Sequence, residues 1–235
     1  MDNEILANSA SRRNFLKTLA AGSAGVALGA AAFPLAAHAA TDDPSTIINV
    51  ALVAEYLAVT FQTNALANAG AIGLLPAEIT TIQGVVAAEA LHVDYLQYYG
   101  AAAPYQGPFA FPAGTFTSRA GYANTAVILE TAFVAAYMAA AREFAADGRA
   151  DLAQLAFQIG AVEAEHRALS RAIGNFLPYA DLAFETNLIP NVATAATVLT
   201  NLGFLSPTTG NSYAYTAANQ QEAMSYIHLL TQTTP

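Results

Sequence analysis

The chain has 235 residues, a formal net charge of −9, and 55% hydrophobic against 11% charged residues. That length can bury a sizeable core, and the alanine-rich apolar fraction favours packed helices over sheet. With no cysteine, a disulfide framework, a thiolate metal site and an iron–sulfur cluster are excluded, so any metal must be held by oxygen and imidazole.

Residues 1–39 differ in kind from the rest. Ser11-Arg12-Arg13-Asn14-Phe15-Leu16-Lys17 is a basic start, followed by an Ala- and Gly-rich apolar run to Ala36 and a small-x-small cleavage pattern at Ala37-His38-Ala39. The stretch resembles a bacterial twin-arginine export signal, which implies a periplasmic or secreted protein that folds before it leaves the cytoplasm. An uncleaved anchor is the competing reading, because the run approaches the roughly 20 residues needed to span a membrane. The Gly and Ala content and the cleavage pattern weigh against it, so no stable membrane insertion is expected after cleavage. From residue 40 onward the chain keeps five Arg, no Lys and 15 Asp plus Glu, a net charge of −10. So acidic a surface disfavours nucleic acid and anionic membrane as partners.

Four apolar-periodic runs then read as helices. The first covers Ser45 to about Asn68, with Asp43-Pro44 at its head, and Gly70 to Pro76 reads as a turn. The second covers Ala77 to about Tyr99, with Pro76 placed where a helix start favours it. From Gly100 to Ser118 the composition shifts to Pro, Gly and Phe, as expected of a long irregular crossover. The third helix runs from about Ala120 to Ala146, and the fourth from about Arg149 to Phe176, ahead of Pro178. Short connections within each pair and a long one between them predict an all-α, one-crossover four-helix bundle over residues 45–177. Residues 178–235 are expected to form a partly helical extension packed on the bundle or a neighbour, with helices at Asn191–Leu202 and Ala217–Leu230 flanking a loop at Ser206–Tyr215.

Both hairpins repeat one pattern. Glu55 precedes Glu89-Ala90-Leu91-His92 by 34 residues, and Glu130 precedes Glu163-Ala164-Glu165-His166 by 33. At ~1.5 Å rise per residue, each lone Glu meets its Glu-x-x-His partner at nearly the same height. The i to i+3 spacing places Glu and His on one helix face. Glu55 and Glu130 have only apolar residues at i±3 and i±4, Glu89 has Val85, Val86 and Val93 there beside His92, and Glu163 has Ile159 and Gly160 there beside His166, so these acids lie on stripes that must face the core. A buried unpaired carboxylate costs several kcal/mol. Arg167 and Arg171 are the only nearby bases in sequence and cannot neutralise four inward acids, whereas two divalent metals can. Two of the three histidines after residue 40 fall in the Glu-x-x-His positions.

Blander roles are expected elsewhere. Glu143, Asp147 and Asp151 cluster near a hairpin turn and read as solvated. Glu165 also has apolar neighbours, but only Glu163 stands three before His166; Glu165 is left as an outer group or a partner of Arg167 or Arg171. Tyr56, Tyr95 and Tyr137 are candidates for redox activity or for hydrogen-bonding a ligand, but read first as core or rim residues; His228 reads as a surface histidine, and the Tyr105–Phe116 loop as packing, with a bundle cap or a substrate channel as its alternatives.

The six residues resemble the ligand set of ferritin-like di-iron and di-manganese carboxylate proteins. Together with the export signal, crossover and tail, the chain is similar to bacterial ferritin-like-domain proteins of the desiccation-related group. The resemblance implies two Fe or two Mn ions, with Glu89 and Glu163 bridging, Glu55 and His92 completing one ion, and Glu130 and His166 the other. It implies an exported protein of oxygen or peroxide chemistry in stress protection, as a ferroxidase-like or manganese-catalase-like oxidoreductase, and is compatible with a homo-oligomer. The absence of cysteine disfavours a rubrerythrin-type peroxidase with a rubredoxin-like donor in this chain, and the long tail disfavours a closed iron-storage cage. The alternative is a structural or stress-protective envelope protein whose metal site only stabilises the fold.

Overall fold

The computed structural model describes residues 41–180 and 182–218. The export-signal reading, His228 and almost all of the expected Ala217–Leu230 helix lie outside them.

Helix α1 (Pro44–Ala67) starts at Asp43, whose carboxylate accepts the N–H groups of Ser45 and Thr46, both at 3.0 Å. Pro44 sits at the first position, where its missing N–H costs nothing. The expected turn at Gly70 to Pro76 includes a short helix, α2 (Ala69–Ile72), closed by Gly73 at φ 80°. Only glycine takes that left-handed conformation without strain. Helix α3 (Pro76–Tyr98) has Pro at its start, and the Glu78 carboxylate accepts the Leu75 N–H at 2.7 Å and Arg119 Nη1–H at 2.6 Å. That ties the heads of two helices together. Helix α4 (Arg119–Ala146) is capped by the Ser118 hydroxyl, which accepts the Gly121 N–H at 3.0 Å. Helix α5 (Ala150–Ile173) stops short of the expected Phe176, because Asn175 turns into positive φ at 55°. Helix α6 (Ala193–Asn201) falls where the tail was expected to be helical.

Helices α1 and α3 form one hairpin, α4 and α5 the other, and residues 99–118 cross between them. Among the described residues there is no strand, and the architecture is the all-α bundle read from the sequence. Leu52, Leu57, Phe61, Ile82, Ala126 and Leu129 are buried at its centre. Helices α1 and α4 are long and apolar enough to cross a membrane by length and composition, but 67% of each apolar window is buried inside the protein. Their apolar character is what a core helix needs.

The crossover and tail are packed together. Phe109 and Tyr213 exchange backbone hydrogen bonds at 2.8 Å in both directions, and the Ala110 N–H donates to the Phe204 carbonyl at 2.9 Å. Phe111 meets Phe61, Phe116, Phe204 and Tyr213, so this aromatic cluster covers one side of the bundle. Further along the tail, Ile189, Val192, Ala195 and Leu199 are buried, as α6 packs on α1 and α4.

Glu143 overturns its expected solvation. It is 1% exposed, and its two carboxylate oxygens accept the Asp42 N–H at 2.8 Å and the Val192 N–H at 2.9 Å. Asp42 in turn accepts the Ala193 N–H at 2.7 Å. The tail folds over the end of α4 and supplies the donors that make an interior carboxylate tolerable. Burial pushes the Glu143 carboxyl above the ordinary range despite those two bonds.

Candidate metal centre

Each of the four long helices delivers part of one cluster: Glu55 from α1, Glu89 and His92 from α3, Glu130 from α4, and Glu163 and His166 from α5. The i,i+3 spacing turns both members of each Glu-x-x-His pair inward. All four acids are at most 2% exposed and His166 is 4% exposed; His92, at 12%, is the most open of the six.

The residues fall into two groups that share two acids. Glu55, Glu89, His92 and Glu163 each offer a ligand atom within 4.8 Å of the others, and so do Glu89, Glu130, Glu163 and His166. The two imidazole rings lie 6.5 Å apart between centroids. Nδ1 of His92 is 3.3 Å from Glu55 Oε2, 3.1 Å from Glu89 Oε2 and 3.2 Å from Glu163 Oε1. Nδ1 of His166 is 2.8 Å from Glu89 Oε1 and 3.4 Å from Glu163 Oε2.

A single Nδ1 carries at most one proton, so two imidazoles cannot satisfy these five approaches. The geometry bears this out: Glu89 Oε1, Glu130 Oε2, both Glu163 oxygens and His166 Nδ1 are buried without an aligned hydrogen-bond partner. Orphaned buried polar atoms cost about 1–3 kcal/mol each. A set of convergent oxygen and nitrogen lone pairs with too few protons suits cations, and carboxylate with imidazole suits Fe, Mn or Zn. The residues present fit a metal centre.

Without metal, protons offset the charge in part. Burial pushes the Glu55 carboxyl up to about 8 against the opposing pull of His92, with the Glu163 and Glu89 charges adding to the rise. Burial also drives Glu130 well above its ordinary range, followed by repulsion from Glu163 and Glu89. Glu89 goes the other way: burial would raise it, but the charges and hydrogen bonds of His166 and His92 outweigh that. Both imidazoles are raised, because Glu55 beside His92 and Glu89 beside His166 overcome the burial that would neutralise them. The metal-free cluster therefore holds protons that a metal must displace.

Neighbouring groups support the cluster or stand apart from it. Tyr137, read first as core or rim, takes the alternative role of hydrogen-bonding a candidate ligand: it donates its hydroxyl proton to Glu55 Oε1, which leaves Oε2 facing His92. Its place seven residues after Glu130, two turns along one face, was the signal for it. Gly160 on α5 makes room, since a Cβ there would stand 3.0 Å from Tyr137 Cβ. Tyr56 accepts the Gln97 side-chain N–H at 3.0 Å, and Tyr95 is exposed. Glu165 is exposed and outside both groups. Arg167 instead pairs with Glu185, one bond at 2.8 Å. Arg171 donates to the carbonyls of Phe176, Pro178 and Tyr179. Both arginines fasten the segment after α5 to the bundle.

The model of the ferritin-like domain family matches residues 43–175, the whole span that carries the six residues. No curated protein and no solved structure matches the chain. On the bundle, the buried Glu/His cluster and that match, the chain belongs to the ferritin-like domain family.

Proposed function

We propose that this is an exported di-metal carboxylate protein of oxygen or peroxide chemistry, acting in stress protection as a ferrous-iron oxidase or a manganese-type peroxide dismutase. One observation carries the reading: two overlapping groups of buried Glu and His share Glu89 and Glu163, and five of their polar atoms lack an aligned hydrogen bond. Glu55, Glu89, His92 and Glu163 would hold one ion, and Glu89, Glu130, Glu163 and His166 the other. Bound iron or manganese supplies one-electron exchange with oxygen or peroxide.

The chain's own residues prepare that chemistry. Glu89 and Glu163 each present two oxygens, one toward each histidine, so the same side chains serve both groups. Tyr137 fixes the rotamer of Glu55 by holding Oε1. The apolar residues around the acids keep bulk water away, which strengthens the electrostatic hold on a cation. The basic leader and Ala37-His38-Ala39 support periplasmic or secreted placement through twin-arginine export. The acidic chain from residue 40 onward supports metal ions rather than nucleic acid or membrane as its partners.

The test is metal analysis of protein purified from its native compartment, then anaerobic titration with Fe(II) and Mn(II) and measurement of oxygen and peroxide consumption. Two ions per chain with turnover are expected. A filled site with no turnover refutes the oxidoreductase reading and leaves a stabilising site in an envelope protein.

A further inference from the structure

Where α6 crosses α1 and α4, side chains fail to fill the space. Ala51 and Ala54 of α1, Ala132, Ala136 and Ala140 of α4, and Ala195 of α6 face one cavity. Its volume is ≈ 20 Å³, against the roughly 10–15 Å³ a cavity needs to hold one water. Larger apolar side chains, Phe133, Ile189 and Leu199 among them, make the rest of the wall almost wholly apolar.

The exception is Tyr137, which also lines the cavity and donates its proton to Glu55. One side chain therefore touches both the void and the Glu/His cluster. Ala51 and Ala54 stand four and one residues before Glu55, and Ala132 and Phe133 stand two and three after Glu130. Part of the cavity wall therefore stands within about one helical turn of each lone acid along its helix.

We infer that this cavity is a holding site for dioxygen beside the metal centre, an inference that rests on the metal-centre reading above. Its volume is of the order a diatomic molecule needs. Apolar cavities of this kind stay dry and take up small apolar guests. Hydrogen peroxide needs several hydrogen-bond partners, and the wall offers one hydroxyl, which can accept a bond but whose own proton is committed to Glu55. Of the two oxidants the centre suits, the cavity selects dioxygen.

The test has one readout that does not depend on activity. Crystals of metal-free and iron-loaded wild type are pressurised with xenon, an apolar probe, which is expected in the cavity of both. Oxygen uptake on adding ferrous iron is then compared in wild type, Ala195→Leu and Ala136→Leu, with bound iron measured in each. The filled variants are expected to bind as much iron as wild type, to exclude xenon, and to consume oxygen roughly tenfold more slowly. An empty wild-type cavity under xenon overturns the inference, as does wild-type oxygen uptake in a variant that excludes xenon. Wild type that binds no iron overturns the metal-centre reading and this one with it; the iron content separates that result from failure of the cavity alone. If Ala136→Leu misfolds, Ala195→Leu carries the test, because α6 bears none of the six clustered residues.

Discussion

Glu89→Gln separates a shared acid from one that serves a single ion. Glu89 is fully buried and belongs to both groups, with Oε2 3.1 Å from His92 Nδ1 and Oε1 2.8 Å from His166 Nδ1. Glutamine keeps the shape but removes one negative charge from both groups at once. Glu55→Gln removes a charge from one group only. An ion present at about 100 times its dissociation constant stabilises the native state by about 2.7 kcal/mol. For a chain of this size that is roughly 5–11 °C of melting temperature per ion, at about 2–4 °C per kcal/mol. Calorimetry with and without added Mn(II), alongside elemental analysis, reads both quantities. Wild type is expected to gain two such increments, Glu55→Gln about one, and Glu89→Gln close to none. Full metal content in Glu89→Gln, or loss of both ions in Glu55→Gln, refutes the shared-acid reasoning.

Other perturbations follow the same geometry. Glu143→Ala leaves the N–H groups of Asp42 and Val192 without their acceptor, at about 1–3 kcal/mol each, so urea unfolding is expected to show a loss of about 2–6 kcal/mol; a change under about 0.5 kcal/mol, typical of a surface site, contradicts the clamp. Gly160→Ala places a Cβ 3.0 Å from Tyr137 Cβ, and neither atom can swing away, so α5 must shift at a cost of about 1–3 kcal/mol; wild-type stability in thermal unfolding would show that the helices yield freely. Asp43 is held at about 2, below its ordinary 3.8, first by hydrogen bonds from the Ser45 and Thr46 side chains. A depressed acid stabilises the fold above its unfolded pKa and loses that contribution as pH falls through the folded one. The stability gap between wild type and Asp43→Ala is therefore expected to be constant above about pH 4 and to close toward pH 2; a gap that persists there points to packing instead.

Fold class and helix order were legible because apolar periodicity, Pro44, Pro76 and the Pro/Gly-rich stretch are local signals. The duplicated Glu and Glu-x-x-His spacing was legible too, since helical rise converts sequence distance into height. The same arithmetic reaches Tyr137, seven residues beyond Glu130, once hydrogen bonding to an acid is sought on that face. Apolar neighbours alone could not single out Glu163, because Glu165 is flanked by Ala161, Val162, Ala168 and Leu169. The rotation of α5 decides that, burying one and exposing the other.

By itself, then, the sequence determined the helical bundle and the inventory of six acids and imidazoles, because both follow from periodicities within a helix. Tertiary structure alone decided what meets across helices. It paired Tyr137 with Glu55, buried Glu143 under the tail, directed Arg167 to Glu185, and left an alanine-lined cavity where α6 crosses α1 and α4. Such contacts join residues far apart in the chain, and their geometry depends on how whole helices pack, which no local pattern encodes.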